Sequence, residues 1–134
     1  FKIKGLDGRE YIWSLLPKIN HAASEGHIKA RTLLKEEFPY EVVFEELTLP
    51  GSNSGKNKVL YADFYIHSKK LMIEVQGIQH DEYTPFFHKS KFEFLAAKAR
   101  DKTKQEWCRI NGIELIVLPY KESVDEWRKR IQSR

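Results

Sequence analysis

The sequence predicts an α/β fold, a four-stranded mixed sheet with helices on both faces. Three observations lead there. Residues 60–80, LYADFYIHSKKLMIEVQGIQH, read as a β-hairpin: two runs rich in Tyr, Phe, Ile, Val and Leu flank the polar break His67-Ser68-Lys69-Lys70. A helix and a strand follow, the kind of crossover that returns a chain parallel to the hairpin's second strand. Further amphipathic helical patterns lie before the hairpin and after the last strand, enough to cover both faces.

The elements are expected in the order α, α, β, β-hairpin, α, β, α. Asp7-Gly8 reads as the start of a first helix with Ile12, Leu15, Leu16 and Ile19 as its apolar stripe, kinked or split by Pro17. After a short connection over 20–23, Ser24 reads as the N-cap of a second helix running to about Glu36, with Ala30, Leu33 and Leu34 inward. Phe38-Pro39 ends it. Residues 40–49, YEVVFEELTL, read as a strand of imperfect alternation, and 50–58, PGSNSGKNK, as a loop.

Within the hairpin, a turn centred between Ser68 and Lys69 places Ala62 opposite Val75, Phe64 opposite Ile73 and Ile66 opposite Leu71, an apolar face. The other face pairs Tyr61 with Gln76, Asp63 with Glu74 and Tyr65 with Met72. A slip of one residue would send the carboxylates into the core, so the pattern selects this register. Residues 81–87 read as irregular around Pro85. A long helix over 88–111 stops at Asn111-Gly112, residues 113–118 are a buried strand, and Ser123-x-x-Glu126 opens a last helix that buries Val124, Trp127 and Ile131.

A chain of 134 residues is the size of one domain, and 41% hydrophobic residues suffice for one core. The expected parts are an N-terminal helical extension over 1–23, a core over 24–120 and a C-terminal helix over 121–134. No run approaches the roughly 18 apolar residues of a membrane helix. The lone Cys108 excludes an internal disulfide and suits an intracellular, reducing compartment. The sequence begins at Phe1 rather than Met, so it is expected to be a piece of a longer protein. Net charge is +4, and all of that excess lies in residues 88–109; the remainder balances. Lys98, Arg100, Lys102 and Lys104 in that stretch suit a polyanion, although a solvated helix face has the same composition.

The opposed pair Asp63 and Glu74 carries the chemistry. Directly opposed residues have Cβ atoms roughly 4.5–5.5 Å apart, and like charges there are destabilising unless compensated. A divalent cation compensates, and Mg²⁺ takes one or two carboxylates together with water and substrate phosphate. The plainer alternative is a solvated strand face whose acids are relieved by nearby lysines. Gln76 shares the face and can hold a water. Gly77 permits a sharp turn, so His80 lands just past the strand end, suited to proton transfer near neutral pH. Asp101 and Lys104, three apart on the long helix, share one side of it, where Asp101 would meet His80 or the metal and Lys104 a phosphate.

The ordered set Asp63, Glu74-Val75-Gln76-Gly77, His80, Asp101-x-x-Lys104 and Gly112-Ile113 before a strand resembles the PD-(D/E)xK nucleases, with Gln in the Lys position. It is most similar to the branch around the very-short-patch repair endonuclease, which includes phage and intron-encoded homing endonucleases. The resemblance covers about residues 24–120. It implies a restriction-endonuclease-like sandwich and Mg²⁺-dependent hydrolysis of double-stranded DNA, with a homing-endonuclease catalytic domain as the expected role. It gives Asp63 as central metal ligand, Glu74 and Gln76 completing the metal and water site, His80 as general acid/base and Asp101 supporting it. The family's Ser/Thr-x-x-Glu is here Ser24-Glu25-Gly26-His27, so His27 stands in the Glu position unless a shift of two brings in Glu25. Alternatives are a mismatch or repair nickase of the same fold and a non-catalytic nucleic-acid-binding module. One such site cuts one strand, so a duplex break implies two copies, as in a homodimer, or two events; a separate specificity domain is expected outside this sequence.

Overall fold

A computed structural model of the chain describes residues 1–16, 23–53, 59–77 and 91–134, without the side chains of 92 and 93. The hairpin forms as the register requires. Strands β4 (Tyr61–Ile66) and β5 (Leu71–Gln76) are joined by a 3₁₀ turn over His67–Lys69, closed by Lys70 in the left-handed region (φ 47°). Phe64 pairs with Ile73, Tyr65 with Met72 and Ile66 with Leu71. β3 (Phe44–Thr48) lies antiparallel on β4, and β6 (Glu114–Pro119) lies parallel to β5, giving a four-stranded mixed sheet in the order β3-β4-β5-β6.

The helices cover both faces. α1 (Glu25–Glu37) starts at Ser24, whose hydroxyl accepts the His27 N–H at 3.3 Å, and α3 (Val124–Gln132) starts at Ser123, whose hydroxyl accepts the Glu126 N–H at 3.2 Å. On one face, Ala30, Leu33 and Leu34 of α1 and Trp127 and Ile131 of α3 pack on Phe64, Ile66, Leu71 and Ile73. The opposite face holds α2 (Lys91–Ile110), the crossover helix. It ends where Gly112 (φ 65°) lets the Ile113 N–H reach the Cys108 carbonyl at 2.9 Å, a Schellman closure. Beneath it Trp107, Cys108 and Ile113 pack on Tyr65 and Met72. The sheet is therefore apolar on both faces near the hairpin turn; the expected carboxylate face is confined to the far end. Ala62 also departs from expectation. It packs with Leu47 and Leu49 in the second cluster, not beside Phe64, next to Glu46 whose left-handed backbone (φ 51°) interrupts the regular pleat of β3.

The N-terminal expectation is overturned. Residues 1–16 hold a small antiparallel pair, β1 (Lys2–Lys4) and β2 (Glu10–Ile12), rather than a helical extension. Asp7-Gly8 is its turn: Gly8 takes φ 82°, and the Asp7 carboxylate accepts the Arg9 N–H at 3.0 Å. The supposed stripe residues Ile12 and Leu16 are exposed, whereas Ile3 and Trp13 are buried. Trp13 donates its indole N–H to the Thr48 carbonyl at 2.8 Å and packs edge-on to Trp107. β3 also begins at Phe44 rather than 40; Tyr40, just after Pro39, is fully solvated. Ile19, residues 54–58 and residues 81–87 lie outside the described residues. Among the described residues no helix is long and apolar enough to cross a membrane.

Candidate active site at the open end of the hairpin

The hairpin ladder stops at Phe64–Ile73, one step short of Asp63 and Glu74. There the two carboxylates take the places that backbone carbonyls would hold. The Asp63 N–H donates to Glu74 Oε2 at 2.7 Å, and the Val75 N–H donates to Asp63 Oδ2 at 2.9 Å. The β3–β4 ladder likewise leaves out the step between Glu45–Phe64 and Leu47–Ala62, where Glu46 would oppose Asp63. Asp63 thus sits at a gap in both ladders, its N–H and that of Val75 satisfied by acids.

Glu74 lies under α2 beside Cys108. Burial, then the charge of Asp63, push its carboxyl pKa up to about 7, against the pull of Lys104. The same burial, followed by the charge of Glu74, raises the Cys108 thiol to about 12. The Lys104 ammonium donates to Glu74 Oε1. Lys104 was expected on a phosphate; α2 packs closely enough over β5 for its ammonium to be drawn to the acid beneath it. Asp101, one turn earlier, lines the same cavity of about 80 Å³ with Glu74, Gln76 and Lys104.

Asp63 faces a larger cleft of about 840 Å³ on the α1 side. Its walls are the first turn of α1, the ends of β5 and β6, and Trp127. Gly26 allows α1 to come this close, since a Cβ there would meet Val75 Cγ1 at 3.2 Å. Gln76 lines both cavities and so spans the two carboxylates. Of the two candidates at the family's first-helix acid position, Glu25 is exposed in the cleft wall. His27 is buried, its Nε2 2.7 Å from Glu45 Oε1 and its ring stacked on Phe64 with centroids 4.3 Å apart. That imidazole holds α1 to the sheet.

His80 lies outside the described residues, so its place relative to Asp63 and Asp101 is not part of this geometry. Arg100 and Lys102 are exposed on α2, and Lys98, half-buried, lies 5.6 Å from the Phe94 ring centroid. Sequence reasoning missed two features. One is Glu45, which accepts two bonds from Arg31 (2.9 and 2.8 Å) besides the His27 contact. Burial pushes its pKa up, but the bonds from Arg31 and then His27 outweigh that and hold it below the usual range. Its signal was an acid at an inward position of β3, which the imperfect alternation hid. The other is Lys29, a cation in the cleft wall, with no signal beyond its place one turn after Glu25.

A divalent cation fits this donor set. At one step of the hairpin the Asp63 and Glu74 carboxylates each accept a backbone N–H, the charge of Asp63 helps to raise the Glu74 pKa, and the Lys104 ammonium pairs with Glu74. Among the described residues no cluster of three or more His, Cys, Asp or Glu is arranged to hold a metal. Mg²⁺ needs only one or two carboxylates, completing its shell with water and phosphate.

The chain is 41% identical to uncharacterized protein 307L of Invertebrate iridescent virus 6, over 89% of the chain and 74% of that protein. It is 39% identical to uncharacterized protein 094L of Frog virus 3 (isolate Goorha), over 58% of the chain, and 31% identical to uncharacterized protein 033L of Invertebrate iridescent virus 3, over 72%. The chain spans about half the length of each of these latter two. No family model and no solved structure matches it.

Proposed function

We propose that this chain, which belongs to the family of protein 307L of Invertebrate iridescent virus 6, is a divalent-metal-dependent DNA endonuclease with a restriction-endonuclease-like sandwich. One observation carries the reading: Asp63 and Glu74 come to the same step where the ladder opens, each accepting a backbone N–H of the opposite strand, and Lys104 offsets the charge of Glu74 alone. Lys104 offsets one of the two negative charges, and the charge that remains favours a further bound cation.

Asp63 and Glu74 would hold Mg²⁺, which supplies Lewis-acid polarisation of a phosphoryl oxygen and a lowered pKa for bound water. Asp63, with Oδ2 spent on Val75, presents its remaining oxygen from a fixed position. Gln76 orients water between the two cavities. Lys104 balances the charge of Glu74 and lies beside the reacting phosphate rather than on a remote one. Glu25, rather than His27, fills the first-helix acid position, and His80 with Asp101 remains the proposed proton-transfer pair. Arg100, Lys102 and Lys98 supply backbone contacts, which give affinity and salt dependence without sequence information.

The test is incubation of supercoiled plasmid DNA with Mg²⁺ and either wild type or Asp63→Ala. Nicking by the wild type alone is expected; equal nicking by both proteins rejects the site. The Lys104–Glu74 bond also suits a second reading, a nucleic-acid-binding module in which the ion pair is permanent. Binding without cleavage in Mg²⁺ and in Mn²⁺ would select it.

A further inference from the structure

The sequence offered Lys104 as the phosphate cation, but Lys104 is engaged by Glu74. The cleft that Asp63 faces has a different cation. Lys29, on the second turn of α1, lines that cleft and is half-buried. Its ammonium donates to the Glu122 carbonyl at 2.9 Å and lies 4.1 Å from the centroid of the Trp127 ring. Neither of these two partners carries a charge, so neither offsets that of the ammonium, and they leave it a proton to donate. Trp127 is itself fixed, its indole N–H donating to the Pro119 carbonyl at 2.8 Å. Lys29 is thus a preoriented cation, with much of its side-chain entropy already lost.

Its position has a direction. The cleft runs from Asp63 on β4, past Gln76 at the end of β5, to Tyr120 beyond β6, whose N–H donates to the Gln76 carbonyl at 2.9 Å. Lys29 is held at the far end by the β6–α3 connection and Trp127. Two strand spacings separate the ends, roughly 10 Å. A phosphate held by Lys29 thus lies toward the β6 end of the cleft, on the side away from Asp63.

We infer that Lys29 is a phosphate-binding residue for a non-scissile phosphate of the DNA strand lying in the cleft, fixing the register of the strand across the ends of β5 and β6. This rests on the nuclease reading and extends it: Lys29 contributes to binding and positioning and takes no part in bond cleavage.

The experiment is equilibrium binding of a fluorescein-labelled DNA duplex of about 20 base pairs in EDTA, where cleavage is suppressed, as a function of salt. Lys29→Met keeps the aliphatic stem over Trp127 and removes the charge; Lys29→Arg keeps the charge. Loss of one phosphate contact is expected to reduce the slope of log K against log salt by about one for Lys29→Met, with the Arg variant near wild type. Cleavage by Lys29→Met is expected to show a raised KM and a kcat within about twofold of wild type. A merely structural Lys29 would shift the melting temperature and leave the slope alone. A second arm needs no variant: wild type is bound to duplexes carrying one neutral methylphosphonate linkage, moved stepwise along the strand, and one position away from the cut should weaken binding. Equal salt slopes for wild type and Lys29→Met, or no sensitive position off the cut, overturn the assignment while leaving the nuclease reading standing. A wild type that neither binds nor nicks DNA overturns both.

Discussion

Two carboxylates, the buried Glu45 on β3 and the mostly covered Glu74 on β5, meet cations in opposite ways. Glu45 has a bidentate Arg31 and the His27 ring, and these hold its pKa below the ordinary value. Glu74 has one ammonium and a second acid, Asp63, and its pKa rises to about 7. The first site is closed and satisfied: guanidinium and carboxylate match in geometry, and nothing is left to bind. The second is balanced against itself. An acid whose pKa is raised to about 7, close to another acid and lining a small cavity with Asp101 and Gln76, is the kind of group that function perturbs.

The contrast can be broken most forcefully at Glu45. Glu45→Ala leaves Arg31 without its buried partner and should cost about 3–5 kcal/mol in urea unfolding. Glu74→Ala, which also ends the repulsion with Asp63, should cost markedly less at pH 8. A reversal of that order would mean that Glu74 is the structural acid. Next is Asp63→Ala, for which a fall in plasmid nicking of about 100-fold or more is expected, with the melting temperature held or raised.

The two acids should also differ in their pH dependence. Glu74 has a folded pKa of about 7 against an ordinary 4.5, so between those values the folded state holds a proton that the unfolded state has lost. Its contribution to stability is therefore greatest in acid and falls as pH rises through about 7, by about 1.4 kcal/mol per unit within the window. Glu45, with a lowered pKa, contributes stability above the ordinary value and loses it as pH falls through its folded pKa. Unfolding curves for Glu74→Gln between pH 5 and 8 should be flatter than wild type; parallel curves would remove Glu74 as the titrating group. The smallest effect belongs to His27→Gln, where a loss of about 1–2 kcal/mol in stability is expected with nicking rates little changed. A large loss of kcat in a folded His27 variant would return the imidazole to the chemistry.

What the sequence made legible follows the same division. The hairpin register could be read because the apolar pairs Phe64–Ile73 and Ile66–Leu71 have one consistent assignment, whereas the pairing expected of Ala62 with Val75 gave way to packing of Ala62 with Leu47 and Leu49. Caps such as Ser24 and Ser123 were legible because capping is local. Asp7-Gly8 was misread because an aspartate followed by small residues opens helices and turns alike, and only Trp13 finding Thr48, Tyr65 and Trp107 decides between them. Lys104 on Glu74 was hidden for a different reason. The contact joins a strand to the helix over it, and helical spacing gives a residue's side of the helix without giving its reach.

That same separation bears on how the chain folds. Glu74 and Lys104 lie 30 positions apart, and the ammonium arrives only with the crossover helix and β6. The hairpin is a local contact and is expected to close early, bringing the two acids to one step while its own cations, Lys69 and Lys70, lie at the turn away from them. Mild acid or dissolved Mg²⁺ should therefore hasten refolding, and the slowest contacts to form are those that bring Lys104 to the pair.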